Sequence, residues 1–212
     1  MSDPYYMFRF LAEDMREKYI VEKQKWKEEL VKRGFKRVYA VHELCECSMK
    51  RKLRREFPDL EIANIYNPRI LLGEIVHRGM AAITSLPCEH KVNKVIKVDG
   101  EDVIIGGSID FYDKVTNTIY EIKYTTSIDH APYEHHILQV KLYKWLCDTD
   151  EAYIIYISPG GIKAYKVDET IDEEGVKELV KSEATPRWSW ECKYCIYKPF
   201  CPVVNNMLEE QT

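Results

Sequence analysis

The spacing of apolar residues changes character several times along the chain. In residues 7–33, Phe10, Leu11, Met15, Trp26 and Leu30 recur among charges, which predicts one long amphipathic helix closed by Gly34. A second helical stretch is expected over 42–57, stopped by Pro58, with 60–66 as a connector. Asn67 and Pro68 then form a start signal, a capping side chain followed by a residue whose φ is already helical, and Ile70, Leu71, Ile75, Val76, Met80 and Ile83 supply an apolar face. Beyond Glu89 the β-branched residues cluster in 91–98, 102–113 and 117–126, separated by Asp99-Gly100 and Thr116-Asn117, which predicts a three-stranded antiparallel meander. Pro132 opens another amphipathic helix to about residue 146. Strands at 152–157 and 162–167 flank Pro159-Gly160-Gly161, and Thr170 with Glu173 reads as a capping box for a helix reaching about 182. The order describes an α/β fold with an αβββαβ core and mixed sheet, wrapped by extra helices.

A length of 212 residues predicts a single domain. Within it, 1–66 form an N-terminal helical region, 67–167 the core, and 168–212 a C-terminal helix with a cysteine-rich segment. The longest apolar runs fall far short of the ~20 residues of a membrane span, and the opening residues lack a secretory pattern, so a cytoplasmic chain without membrane contact is expected. A net charge of −4 means that any contact with DNA must come from local patches. The clearest is the run Lys50-Arg51-Lys52-Leu53-Arg54-Arg55, which equally suits a solvated helix face. Seven cysteines, an odd number in a chain of intracellular type, point away from disulfides and towards metal or catalysis.

Glu121-Ile122-Lys123 lies in a strand, so the period of two places the carboxylate and the ammonium on one face. A turn between Val115 and Thr116 sets Asp110 opposite Glu121. Two carboxylates opposed at about 5 Å destabilise a sheet unless a cation lies between them, and hard oxygen ligands suit Mg²⁺ or Mn²⁺, which can activate water against a phosphodiester. The alternative is an acidic pair on the wet face of a hairpin, with Lys123 bonded to either member. Gly73 and His77, four apart on the third helix, offer a close approach and a nitrogen ligand; Gly106-Gly107 suggests a bulge or a close backbone contact. Gln139 and Tyr143 share one helix face, whereas His135 and His136 are expected to be a solvent-exposed pair pointing apart.

Cys192, Cys195 and Cys201 cannot complete a tetrahedral set, so a fourth thiolate must come from elsewhere and would staple distant parts of the chain. Zinc and an iron–sulfur cluster both accept such a set. Cys88 and Cys147 are assigned to packing.

Taken in order, Gly73-x3-His77, Gly107-x2-Asp110, Glu121-Ile122-Lys123 and Gln139-x3-Tyr143 resemble the RecB-type branch of the PD-(D/E)XK (restriction-endonuclease-like) nucleases over about residues 42–202. The resemblance implies that His77, Asp110, Glu121 and the Ile122 carbonyl bind Mn²⁺ or Mg²⁺, with Asp110, Glu121 and Lys123 catalytic and Gln139 and Tyr143 supporting the site and the DNA. Cys192-x2-Cys195-x5-Cys201-Pro202, with Cys47 upstream, is similar to the iron–sulfur arrangement of such nucleases, [4Fe–4S] or [2Fe–2S]. Ser48 stands where that pattern has proline, which leaves Cys45 as a rival for Cys47. A nuclease of this size without a helicase resembles the fourth CRISPR-associated (Cas) protein family. That implies an exonuclease on single-stranded DNA ends, working in spacer acquisition with the adaptation integrase complex. Two other classes stay open: a non-catalytic DNA- or partner-binding module, and a DNA-repair nuclease or endonuclease of the same superfamily.

Overall fold

The computed structural model describes residues 3–20 and 25–204. Six strands form one mixed sheet: β1 (Arg37–Ala40), β2 (Cys88–Val98), β3 (Glu101–Asp113), β4 (Thr118–Tyr124), β5 (Glu151–Ser158) and β6 (Gly161–Lys166). The expected meander of β2, β3 and β4 is antiparallel throughout, and Asp99, Gly100 and Asn117 turn its hairpins in the left-handed region. β5 lies parallel to β4 and is paired on its far side by antiparallel β6.

The helices are α1 (Tyr6–Lys18), α2 (Lys25–Lys32), α3 (Val41–Leu44), α4 (Ser48–Glu56), α5 (Pro58–Asn64), α6 (Pro68–Ile83), α7 (Glu134–Cys147), α8 (Glu173–Lys181) and α9 (Glu191–Tyr194). The main core joins Val103, Ile105 and Ile109 of β3 and Ile154 and Tyr156 of β5 to Val140 and Leu142 of α7 and Val176 and Val180 of α8, all buried. At about 1.5–3 kcal/mol per buried large side chain, this cluster outweighs any local propensity.

The path of β3 decides where a site can form. β2 covers one edge of β3 from Glu101 to Phe111. On the other edge, β1 pairs in parallel with Val103–Gly106 and β4 pairs only from Phe111 onward. Residues 107–110 therefore face a gap between β1 and β4, where backbone groups must bond to side chains instead of a strand.

Several elements differ from the sequence reading. Helices α1 and α2 occupy the predicted 7–33 helix, whose residues 21–24 lie outside the described residues, and Phe10 is exposed. Strand β1 went unpredicted because four residues are too few to show a period. The 42–57 helix is broken between α3 and α4, and the expected connector contains α5, since Pro58 starts a helix here as well as ending one. Asn67 does cap α6 by accepting from the Arg69 amide, but the cap of α8 is Asp172, which accepts from Gly175, and not Thr170. The apolar face of α6 is only partly covered: Ile75 and Ile83 are exposed.

Candidate functional site

The gap beside β3 is filled by the predicted acidic and basic residues. The hairpin keeps the predicted register as far as Phe111 opposite Tyr120, and there the ladder stops. Where a strand carbonyl would have stood, the Asp110 carboxylate accepts the Ile122 amide at 2.7 Å through Oδ2. Its other oxygen lies 3.4 Å from His77 Nδ1, and His77 Nε2 lies 3.0 Å from the Ile122 carbonyl. His77, Asp110 and the Ile122 backbone thus close one ring of contacts between α6, β3 and β4.

A second ring adjoins it. The two-residue period of β4 sets Lys123 beside Glu121, and Lys123 Nζ donates to Glu121 Oε1 at 2.7 Å. Gln139 of α7 bridges them, donating to the same Glu121 oxygen at 2.8 Å and accepting from Lys123 at 3.1 Å. Four residues along, the Tyr143 hydroxyl donates to the Ser108 carbonyl at 2.8 Å, one of the backbone groups stranded in the gap. Burial holds the Tyr143 phenol well above its usual range, so it keeps that proton. Gly107 makes the approach possible: a Cβ there would lie 2.9 Å from Tyr143 Cε1. The glycine pair thus permits close approach, with Trp26 as near to Gly106, and β2–β3 pairing runs through it without a bulge. Gly73 is different, since a Cβ on it would meet nothing within 4 Å.

The electrostatics of the centre are unbalanced. Glu121 is 2% exposed, and its Oε2 is buried without a hydrogen-bond partner among the described residues. Burial pushes the Glu121 carboxyl up to about 7; the Lys123 ammonium opposes this and the Asp110 charge adds to it. Burial pulls Lys123 down, but Glu121 and Asp110 outweigh it and hold the ammonium above its ordinary value. His77 is likewise lowered by burial and raised further by Asp110, for a net upward shift. Among the described residues, no three His, Cys, Asp or Glu side chains stand ready-assembled to hold a metal ion. The unpartnered Glu121 oxygen, the Asp110 carboxylate, the Ile122 carbonyl and the His77 ring nevertheless form a donor set that suits a divalent cation.

The cysteines gather elsewhere. Cys47, at the start of α4, and Cys192, Cys195 and Cys201, around α9 and the turn Lys198–Phe200, line one cavity. Cys45 lies outside it, buried in the main core with its thiol 3.3 Å from the Val41 carbonyl. Burial, and then the neighbouring Cys47 and Cys201, push Cys192 upward, as expected where thiols crowd. Cys147 is half-buried and packs against the main core, but Cys88 is exposed at the start of β2.

Two further expectations change. His135 and His136 are not solvent-exposed: their rings are 4.0 Å apart, His136 bonds the Tyr156 hydroxyl at 2.8 Å, and burial pushes them down to about 4 and about 2. The basic run on α4 is a solvated face only in part: Lys52 and Arg55 are exposed, whereas Arg54 is buried between Glu46 and Glu61. Glu191 is not marked out by the sequence pattern. It is buried, accepting the Cys47 amide at 2.8 Å through one oxygen and the Arg187 and Trp188 amides at 2.8 and 3.0 Å through the other. Its position beside Cys192 was the only available signal, because nothing local announces a carboxylate that bonds backbone 144 residues away.

A protein named CRISPR-associated exonuclease Cas4, from Saccharolobus solfataricus, is 30% identical over 173 residues, covering 76% of this chain and 86% of that protein. The chain belongs to the Cas4 family. The crystal structure of SSO0001 matches at a TM-score of 0.84 and 26% identity, covering 93% of this chain and 96% of that one. No protein-family model matches the sequence. The Cas4 relationship makes the six-stranded sheet a PD-(D/E)XK-type fold and the chain a CRISPR-associated nuclease. Among the described residues, no helix is long and apolar enough to cross a membrane.

Proposed function

We propose that this chain is a divalent-metal-dependent exonuclease that hydrolyses phosphodiester bonds at single-stranded DNA ends, preparing DNA for CRISPR spacer acquisition beside the adaptation integrase complex. The observation that carries the chemistry is the Glu121 oxygen, buried and unpartnered beside Asp110, with Lys123 and Gln139 on the other oxygen of the same carboxylate. Asp110, Glu121, the Ile122 carbonyl and His77 would hold Mg²⁺ or Mn²⁺, which supplies polarisation of the phosphate and a more acidic water when bound. Lys123 stays an ammonium and is placed to steady an attacking water or a phosphate oxygen as charge develops. Gln139 fixes the orientation of both Glu121 and Lys123, so neither must reorganise. Tyr143 pins α7 to β3, and thereby Gln139 to the carboxylates.

The four cysteines around the second cavity would hold an iron–sulfur cluster, a reading supported by their number and by the exclusion of Cys45 from the cavity. End-labelled single strands should be degraded from their ends with Mn²⁺ or Mg²⁺, whereas closed circular strands should persist. Absence of product with either ion overturns the nuclease chemistry, and cleavage of circles converts it to an endonuclease. Purified protein should be brown and contain iron and sulfide; colourless protein with stoichiometric zinc overturns the cluster.

A further inference from the structure

A cavity of about 490 Å³ that shares no lining residue with the cysteine cavity or the carboxylate centre is bounded by β1, α4, the β2–β3 turn and the end of α8. Arg37, Arg51, Lys52, Arg55 and Lys181 line it, with Asp99 and Glu183 the only acidic lining residues among those described, in a chain whose net charge is −4. The two acids are already engaged, Asp99 with Lys181 at 2.7 Å and Glu183 with Lys52 at 3.5 Å. No carboxylate lies within 4 Å of the Arg37, Arg51 or Arg55 guanidinium groups among the described residues. Arg37 and Arg51 both lie over the ring of Tyr39, with Cζ 6.0 and 5.1 Å from its centroid, so two like charges share one aromatic ring.

Arg51 is the telling member. It is 8% exposed, yet its hydrogen bonds are two contacts of 3.5 Å to the Glu43 and Ser182 carbonyls, at the outer limit of such bonds. Arg54, one turn further along α4 and equally buried, is gripped by the carboxylates of Glu46 and Glu61. A guanidinium buried for structure is paired in that way; Arg51, buried beside Arg37 without a carboxylate, is instead left short of an anion. The planar forks of the two arginines suit phosphate oxygens.

We propose that this cavity is a phosphate-binding site. Resting on the nuclease reading, its occupant is a backbone phosphate of the strand being degraded; the same chemistry would hold a free phosphate. Arg37 pairs with Val103, seven residues from Asp110 along β3, so the site stands roughly 23 Å from the nuclease centre at ~3.3 Å per residue. A long strand can reach both sites and a very short one cannot.

The test uses the full chain in EDTA, with long and short labelled single strands, and an Arg37→Gln/Arg55→Gln double variant whose melting temperature is checked against the parent. Long-strand affinity should fall about tenfold, and the dependence of log K on log salt should flatten by roughly 0.7 for each phosphate that the variant leaves unneutralised. Short-strand binding, and short-strand cutting once metal is restored, should not change. Inorganic phosphate should raise the melting temperature of the parent and not of the variant. A phosphate effect without a strand effect assigns the site to the free anion. Unchanged strand affinity together with an unchanged phosphate response overturns the proposal. A parent that cuts no strand yet shows the arginine-dependent phosphate response sinks the nuclease reading alone.

Discussion

The candidate nuclease centre and the cysteine cavity hold their side chains in different ways. At the centre, Glu121, Lys123 and Gln139 bond one another and His77 and Asp110 bond the backbone of β4, so the sheet presents a finished arrangement in which, among the described residues, Glu121 Oε2 is left unpartnered. At the cavity, four thiols from both ends of the chain face a shared space, and the bracing sits around them: Glu191 on the Cys47 amide, Trp188 on the Cys45 carbonyl, and Ser48 on Ala184. The first site is preorganised by strand geometry. The second, on the cluster reading proposed above, would depend on what the thiols bind, with its walls held in part by ordinary hydrogen bonds.

That contrast is open to experiment. The largest expected effect is on activity: Asp110→Ala, Glu121→Ala and Lys123→Ala should each cut DNA at least ~100-fold more slowly while retaining a cooperative melting transition. Undiminished cutting by all three would place the chemistry elsewhere. Cys192→Ala should do the reverse, abolishing visible absorption and removing several kcal/mol of apparent stability, since metal–thiolate sites supply on the order of 10 kcal/mol. Glu191→Ala, which leaves three amides short of their acceptor, should cost about 1–3 kcal/mol without bleaching the protein. A Cys192→Ala variant melting like its parent would show that the hydrogen-bonded walls suffice.

A third test concerns pH. The Glu121 carboxyl, raised to about 7 from about 4.5, binds its proton more tightly folded than unfolded. In metal-free protein the resulting stability is complete below about pH 4.5 and lost as pH rises through about 7. A divalent cation competes with that proton, so the gain in melting temperature on adding Mn²⁺ should be small at pH 5 and grow through pH 7. A gain independent of pH would mean that the ion sits away from Glu121. The smallest effect is expected from Gly107→Ala, whose Cβ would meet Tyr143 at 2.9 Å; displacement of the tyrosine should cost about 1–3 kcal/mol and slow cutting several-fold through Gln139. Full activity in that variant would free Tyr143 from any role in positioning.

Much of this is written locally. The hairpin register follows from turn residues and alternation, so local rules carry Asp110 and Glu121 to the end of the ladder, although the pairing stops at Phe111 and Tyr120 and Asp110 accepts the Ile122 amide instead of facing Glu121 as a strand pair. Gln139 and Tyr143 share a face because helical neighbours lie four apart. The basic run is legible as charge but not as structure: Arg54 is a buried strut, Arg51 is buried without a carboxylate, and Arg55 is exposed, a division set by which acids fold back from Glu46 and Glu61. The two histidines read as a surface pair because nothing in their neighbours tells of Tyr156 or Trp190 arriving from other elements.

Strand, turn and helix periods are properties of adjacent residues, and the sequence by itself therefore determined the αβββαβ order, the carboxylate–lysine strand and the candidate cysteines. The gap between β1 and β4, the choice of Cys47 over Cys45 in the cavity, the Glu191 brace and the carboxylate-free arginines on Tyr39 were decided only in three dimensions. Each depends on which distant backbone or side chain arrives at a given place, and burial, acting over the whole core at once, settles that.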